Sequence, residues 1–146
     1  MIYKLSLYYN LIIKQKLFKK RNSYSQFKED KFISNFFSTK KKGIYVDIGC
    51  FHPLKYNNTA LLHNCGWTGI NIDINQTSID LFNIVRKNDI NVCAAVSDEN
   101  GFTEFYFDHK FSPINSLNKE FSDYSAKNFS KRKFTKKKSK NLFFMN

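Results

Sequence analysis

At 146 residues the chain has room for one domain, large enough to bury a core without disulfides or metals. An apolar share of 42%, with 16 Phe and 8 Tyr, fits a globular protein and favours strands around a dense core. The net charge of +12 sits at the ends: residues 1–42 carry +9, residues 43–117 carry −4 and residues 118–146 carry +7.

The first residues, MIYKLSLYYNLIIKQKLFKKR, are apolar but broken by Lys4, Lys14 and Lys16. Their longest uncharged run, Leu5 to Ile13, is far short of the roughly 20 residues of a membrane span, and no small-residue cleavage site follows. Leu5, Ile12, Ile13 and Leu17 are expected to share one helical face, packed on the domain or laid on a membrane surface. Ser23-Tyr-Ser-Gln26 fits a capping box and predicts a helix with Phe32, Ile33, Phe36 and Phe37 on one face, stopped at Lys40-Lys41-Lys42-Gly43.

A regular alternation follows. Residues 43–49, GIYVDIG, read as a strand buried on both faces. Residues 57–66 read as a short helix with Asn57 or Asn58 as its N-cap and Gly66 as its stop. TGINIDI (68–74) is a second strand. Residues 76–88 are a helix with Ile79, Leu81, Phe82 and Val85 inward. INVCAAVS (90–97) is a third strand, Asp98 to Gly101 a turn and FTEFYFD (102–108) a half-buried strand. The order β-α-β-α-β-β predicts an α/β domain with a Rossmann-like parallel sheet and flanking helices. After Leu117 the pattern gives no element, so residues 1–22 and 118–146 are read as basic flanks of a domain over 23–117.

In such a sheet, ligands bind beyond the carboxyl ends of the strands, and the first βα turn is the usual cradle. Here that turn is Asp47-Ile48-Gly49-Cys50. Gly49 lets the backbone bend and approach a ligand. Asp73, 24 residues beyond Gly49, ends the second strand, where an acid accepts hydrogen bonds from both hydroxyls of a ribose. A pyrophosphate needs more glycines than this turn has, and Pro53 offers no N–H. A cationic, phosphate-free adenosine cofactor, S-adenosylmethionine, suits an Asp-bearing turn and an acidic middle better.

SQFKED (25–30), YVDIGCFHP (45–53), NNT (57–59), GWTGINIDIN (66–75) and AAVSDENG (94–101), in that order, resemble the FkbM-type methyltransferase domain. The resemblance implies an S-adenosylmethionine-dependent methyltransferase that acts on a hydroxyl of a small-molecule or glycan acceptor. It implies Asp47, Gly49 and Cys50 at the methionine and ribose end, Asp73 on the ribose, Ile74 beside the adenine, and Ala95, Val96 and Ser97 on the adenine side. Lys28, Cys50, Asn57 and Asn75 stand where the family pattern has Gly, Ala, Ser and Pro. The later strand whose acids face the methyl-transfer centre has no counterpart after Leu117, so the sheet is expected to be incomplete. That predicts a truncated gene product or a partner chain completing the sheet, because Ile44 to Ile48 would otherwise be an unprotected edge.

Competing readings attach to the same residues. Cys50-x-His52 and His63-x-Cys65 offer four metal-ligand types. Their one-residue gaps are not zinc spacing, and on a helix His63 and Cys65 point about 200° apart, so no metal is expected. Cys93 reads as a core residue, Trp67 as packing between helix and sheet, and His109 as a surface residue. Asp47 could also simply cap its own turn. Three cysteines without a C-x-x-C pair predict free thiols in a reducing cytoplasm. The alternative to an enzyme is a basic module whose ends grip nucleic acid or an anionic membrane surface. The joint abundance of Lys, Asn, Ile and Phe, as an A- and T-rich coding sequence would give, reads the basic ends instead as solvated faces.

Overall fold

The computed structural model describes residues 1–129 and 132–143. The architecture is mixed α/β: a three-stranded parallel sheet flanked by helices, compatible with a Rossmann-like fold, beside a second three-stranded sheet. The elements are α1 (Ile2–Tyr8), continued by a π-helical turn Tyr9–Lys14, α2 (Glu29–Phe36), β1 (Ile44–Ile48), α3 (Ala60–Asn64), β2 (Thr68–Asp73) and α4 (Gln76–Val85). They continue as β3 (Ile90–Cys93), β4 (Ala95–Ser97), β5 (Phe102–Phe107), α5 (Lys119–Asn128) and β6 (Thr135–Phe143).

The first sheet has the order β1-β2-β3, all parallel, with Val46 opposite Ile70 and Ile70 opposite Ile90. Side chains alternate between faces along each strand. Tyr45, Asn71 and Cys93 point to the helix-covered face. There Tyr45 packs with Leu62, Trp67, Ile33 and Phe37, and Ile79 and Phe82 of α4 pack on Cys50 and Cys93. Gly69, opposite Tyr45, must lack a Cβ because one there would run into the tyrosine ring. On the other face Ile44, Val46, Ile48 and Ile90 are 78%, 56%, 61% and 62% exposed. Among the described residues β1 pairs with β2 alone and is an edge strand. The apolar face beside it is uncovered at these four positions, while Ile72 on the same face is buried.

The second sheet has the order β4-β6-β5. β6 runs parallel to β4 and antiparallel to β5, with Phe105 opposite Lys137 and Phe107 opposite Thr135. Two expectations change here. The single strand over 90–97 is divided at Ala94, whose N–H donates to the Asp73 carbonyl at 3.0 Å while the next three residues join β6. The chain beyond Leu117, expected to hold no element, forms α5 and β6. Asn118 caps α5 by accepting the Phe121 N–H at 2.8 Å. The lysine-rich β6 is invisible to strand propensity because lysine is depleted in strands, and pairing on both sides overrides that.

The ends also join the core. Leu7 and Leu11, not the predicted Leu5, Ile12 and Ile13, are the buried N-terminal residues, and they pack with Tyr24, Leu54, Ala60 and Leu81. Leu7 and Leu11 are spaced i, i+4 as a helical stripe requires, so the buried face is a different one from that of Leu5, Ile12 and Ile13. Helix α2 starts at Glu29 rather than at Ser23, with Lys28 left-handed at φ 69° before it. Ser23 and Ser25 donate instead to Asp30 Oδ1, at 2.7 and 2.8 Å. The N-cap position of α3 is Thr59, not Asn57 or Asn58, and its hydroxyl is turned to Asp47 instead of to the helix amides. Among the described residues no helix is long and apolar enough to cross a membrane.

Candidate cofactor site

The turn after β1 is anchored to β2. The amides of Gly49 and Cys50 both donate to the Ile72 carbonyl, at 2.8 and 3.2 Å. Gly49 has φ 72°, and a Cβ there would meet nothing within 4 Å. The space over the turn is therefore open, and the left-handed backbone favours glycine.

Asp73 closes β2 against this turn. Its Oδ2 accepts the Phe51 N–H at 2.9 Å and its Oδ1 accepts the Asn75 N–H at 2.8 Å. The Ser78 hydroxyl also bonds this carboxylate, so part of its acceptor capacity, about four lone-pair sites, is left for an incoming hydroxyl. Burial raises the Asp73 pKa, the Asn75 and Phe51 amides hold it partly down, and the nearby Asp47 charge adds to the rise. Asn75 caps α4 by accepting the Thr77 N–H at 3.1 Å.

A cavity of about 390 Å³ opens at the carboxyl ends of β1 and β2. Gly49, Asp73, Ile74 and Val96 line it, and the segment Ser112–Asn118 forms the opposite wall. Its size is in the range of small-molecule and cofactor sites. Asp73 is the single titratable side chain in its lining. Comparison with protein-family models, with curated proteins and with solved structures returns no match. The chemistry of the cavity therefore has to be read from its own residues.

Four of the eight sequence-derived cofactor residues meet at this cavity and four do not. Asp47 points back into the fold, where its Oδ2 accepts from Thr59 Oγ1 at 2.7 Å and Asn57 Nδ2 at 3.0 Å. Cys50 is buried against Ile79 and Phe82. Burial first, then the charges of Asp73 and Asp47, push its thiol well up, so it stays neutral. Ala95 is buried and Ser97 lies beyond the lining.

His52 is fully engaged. Its Nδ1 accepts the Leu54 N–H at 3.0 Å, which leaves Nε2 to donate to Asn10 Oδ1 at 2.8 Å. Neither ring nitrogen is left to ligate a metal. Among the described residues no three His, Cys, Asp or Glu side chains are grouped to hold one. Trp67 packs between helix and sheet, and His109 is exposed.

Sequence reading missed Arg86, which is 1% exposed. Its guanidinium donates to Asn57 Oδ1 (2.7 Å), Thr59 Oγ1 (2.8 Å) and Tyr45 Oη (3.0 Å). Tyr45 in turn donates to Asp89 Oδ2 at 2.6 Å, and Asp89 also accepts from Asn71 and the Gly69 amide. Arg86 thus ties the NNT segment and Asp47 to the middle of the sheet. A lone arginine at the end of α4 in an acidic segment was the available signal. Ser112–Asn118 carries no motif that marks it as a wall of the cavity.

Proposed function

We propose that the domain is the cofactor-binding part of an S-adenosylmethionine-dependent methyltransferase whose acceptor is a hydroxyl of a sugar, glycan or natural product. One observation carries this: a cofactor-sized cavity at the carboxyl ends of parallel strands, with an open glycine turn on one side and Asp73 on the other. Asp73 would accept the ribose hydroxyls on its remaining lone pairs. Ile74 and Val96 would give the adenine an apolar slot, and Gly49 would admit the methionine end. Asp47, Cys50, Ala95 and Ser97 would act from behind, by holding the turn and strand ends in place. When bound, the cofactor supplies a methyl group activated on a cationic sulfur.

The chain's own contribution is positioning, worth several kcal/mol of barrier where the geometry is fixed in advance. The cavity lining carries no second titratable group beside Asp73, so the reading includes a partner chain that completes the sheet along β1 and brings the group that takes the acceptor's proton. Calorimetric titration of the full chain with S-adenosylmethionine and with S-adenosylhomocysteine is the test. Saturable binding that Asp73→Ala weakens about tenfold or more, the loss of one charge-assisted contact, is expected. No heat at millimolar ligand with folded protein would overturn the proposal.

A further inference from the structure

A second cavity, about 530 Å³, lies across the Ile74–Asn75 turn from the first. The start of α4 and Tyr3 form one side of it, and the antiparallel β5–β6 pair forms the other. The pairing of Phe105 with Lys137 and of Thr103 with Ser139 puts Phe105, Phe107, Lys137 and Ser139 on one strand face. Lys110 closes the remaining side.

The charged lining of this cavity is wholly cationic: Lys110 and Lys137, with Lys138 and Lys140 at the alternate positions of β6, beside the neutral side chains of Asn75, Gln76 and Thr77. The Lys137 ammonium sits 3.3 Å from the centre of the Phe107 ring. The Lys110 ammonium donates to Ser6 Oγ at 2.8 Å and lies 5.5 Å from the Tyr3 ring. Among the described residues neither lysine pairs with a carboxylate. No Asp or Glu lines the cavity, and Asp80, which is bonded to two of its lining residues, is held by Tyr3 Oη at 2.6 Å and Gln76 Nε2 at 2.9 Å. Ser139 is 6% exposed, and its hydroxyl reaches only the Lys140 carbonyl at 3.4 Å, long for an O–H···O bond. A buried hydroxyl with so weak an acceptor is costly unless something else accepts its proton.

Two ammonium groups, an under-used buried hydroxyl and aromatic walls fit one ligand chemistry. We propose that this cavity binds a small phosphate monoester with an apolar or aromatic body. The phosphate would replace the cation–ring contacts of Lys110 and Lys137 with charge-assisted hydrogen bonds, which are stronger, and would accept from Ser139. The body would lie against Phe105 and Phe107. Gly49 and Asp73 do not line it, but Ile74 and Asn75 border both cavities, so the two sites are neighbours, and Lys110 and Lys137, which line only this one, tell them apart.

Phenyl phosphate and inorganic phosphate, titrated separately into the full chain by calorimetry, are the probes. Phenyl phosphate is expected to bind with one site per chain, and inorganic phosphate more weakly. Lys110→Ala and Lys137→Ala should each weaken phenyl phosphate about tenfold, the loss of one charge-assisted contact, and Ser139→Ala by less. Lys136, on the opposite strand face and paired with Glu104 at 3.1 Å, is the control: Lys136→Ala should leave binding unchanged. Circular dichroism of each variant separates lost binding from lost folding, and Lys137 is exposed, so its truncation spares the core. Absence of phenyl phosphate binding at millimolar concentration overturns the proposal. So does an equal loss in the Lys136 and Lys137 variants, which would mark a diffuse basic surface. Equal affinity for the two probes would remove the aromatic wall from it.

Discussion

Asp73 Oδ2 accepts the amide proton of Phe51 at 2.9 Å, so the acid that ends β2 also holds the turn that follows β1. The two strand ends are one unit, and Phe51, left-handed at φ 52°, is kept in an unfavourable backbone region by that bond. Asp73→Ala leaves the Phe51 and Asn75 amides without their acceptor. The expected cost is about 1–3 kcal/mol of unfolding free energy, read by urea denaturation. Asp73→Asn, whose one carbonyl oxygen serves only one of the two amides, should fall between. Wild-type stability in Asp73→Ala would mean the carboxylate does not hold the turn.

Arg86 is the larger structural commitment. Its fork serves Asn57, Thr59 and Tyr45 at once, and through the last it reaches Asp89. Arg86→Met leaves the Asn57 and Pro53 carbonyls and the Thr59 and Tyr45 hydroxyls without their donor, and removes the cation nearest the Asp47 and Asp89 carboxylates behind them. The expected penalty is about 3–5 kcal/mol, a large part of the stability of an ordinary domain. Arg86→Lys should not restore it, because a single ammonium cannot span the three acceptors. Thermal unfolding of both variants decides this, and a lysine variant melting with the wild type would refute the role of the fork.

Lys28 occupies a left-handed position at φ 69° directly before α2. A side chain there costs roughly 1–2 kcal/mol, offset in part by the extra chain entropy that glycine loses on folding. Lys28→Gly is therefore expected to stabilise the protein by up to about 1 kcal/mol. A destabilised Lys28→Gly would show that the lysine makes a compensating contact.

The uncovered side of the first sheet predicts poor solution behaviour. Parallel sheets are ordinarily covered on both faces, yet Ile44, Val46 and Ile48 are exposed here on an unpaired edge. Val46→Lys should change unfolding free energy by no more than about 0.5 kcal/mol, as surface substitutions do. The same change should raise solubility and slow aggregation, as an edge lysine does. If light scattering of concentrated samples is unchanged by it, the β1 face is not the association surface.

How much of this was legible in the sequence follows from the range of the interactions. β1, β2 and α4 were readable because Ile44–Ile48 and Thr68–Asp73 are β-branched runs and Ile79 and Phe82 repeat at helical spacing. The Asp73–Gly49 relation was readable because the β-α-β path fixes which strand ends are neighbours. Asp47 was misplaced relative to the cavity because a turn acid can look outward or back, and the partners that settle it, Asn57 and Thr59, carry no sequence mark of that choice. β6 was illegible because its strand state depends on pairing with β4 and β5, not on its own lysines. The buried N-terminal stripe was missed because nearly every position from Leu5 to Ile13 is apolar, so Leu7 and Leu11 compete with Leu5, Ile12 and Ile13 for the inward face and only the packing against Leu54 and Leu81 decides.

His52 gives the fold a pH dependence of known sign. Burial, then the charges of Lys55, Arg21 and Arg86, lower its pKa to about 3, and protonating Nδ1 would displace the Leu54 N–H. In the unfolded chain the same imidazole titrates near 6.5. Between these values the unfolded state holds a proton that the folded state does not. The stabilisation is therefore complete above pH 6.5 and declines as pH falls toward 3, at about 1.4 kcal/mol per pH unit. From pH 6.5 to pH 5 the loss is about 2 kcal/mol. His63, lowered by burial and by Arg86 against the pull of Asp89, acts in the same direction. Urea unfolding at pH 7 and pH 5 should show His52→Asn with a much smaller decline than the wild type, whatever its starting stability, and His63→Asn with a decline nearer the wild type's. Equal declines in wild type and His52→Asn would mean that the folded state admits the proton at His52, and the Leu54 and Asn10 contacts would not be the ones that hold the ring.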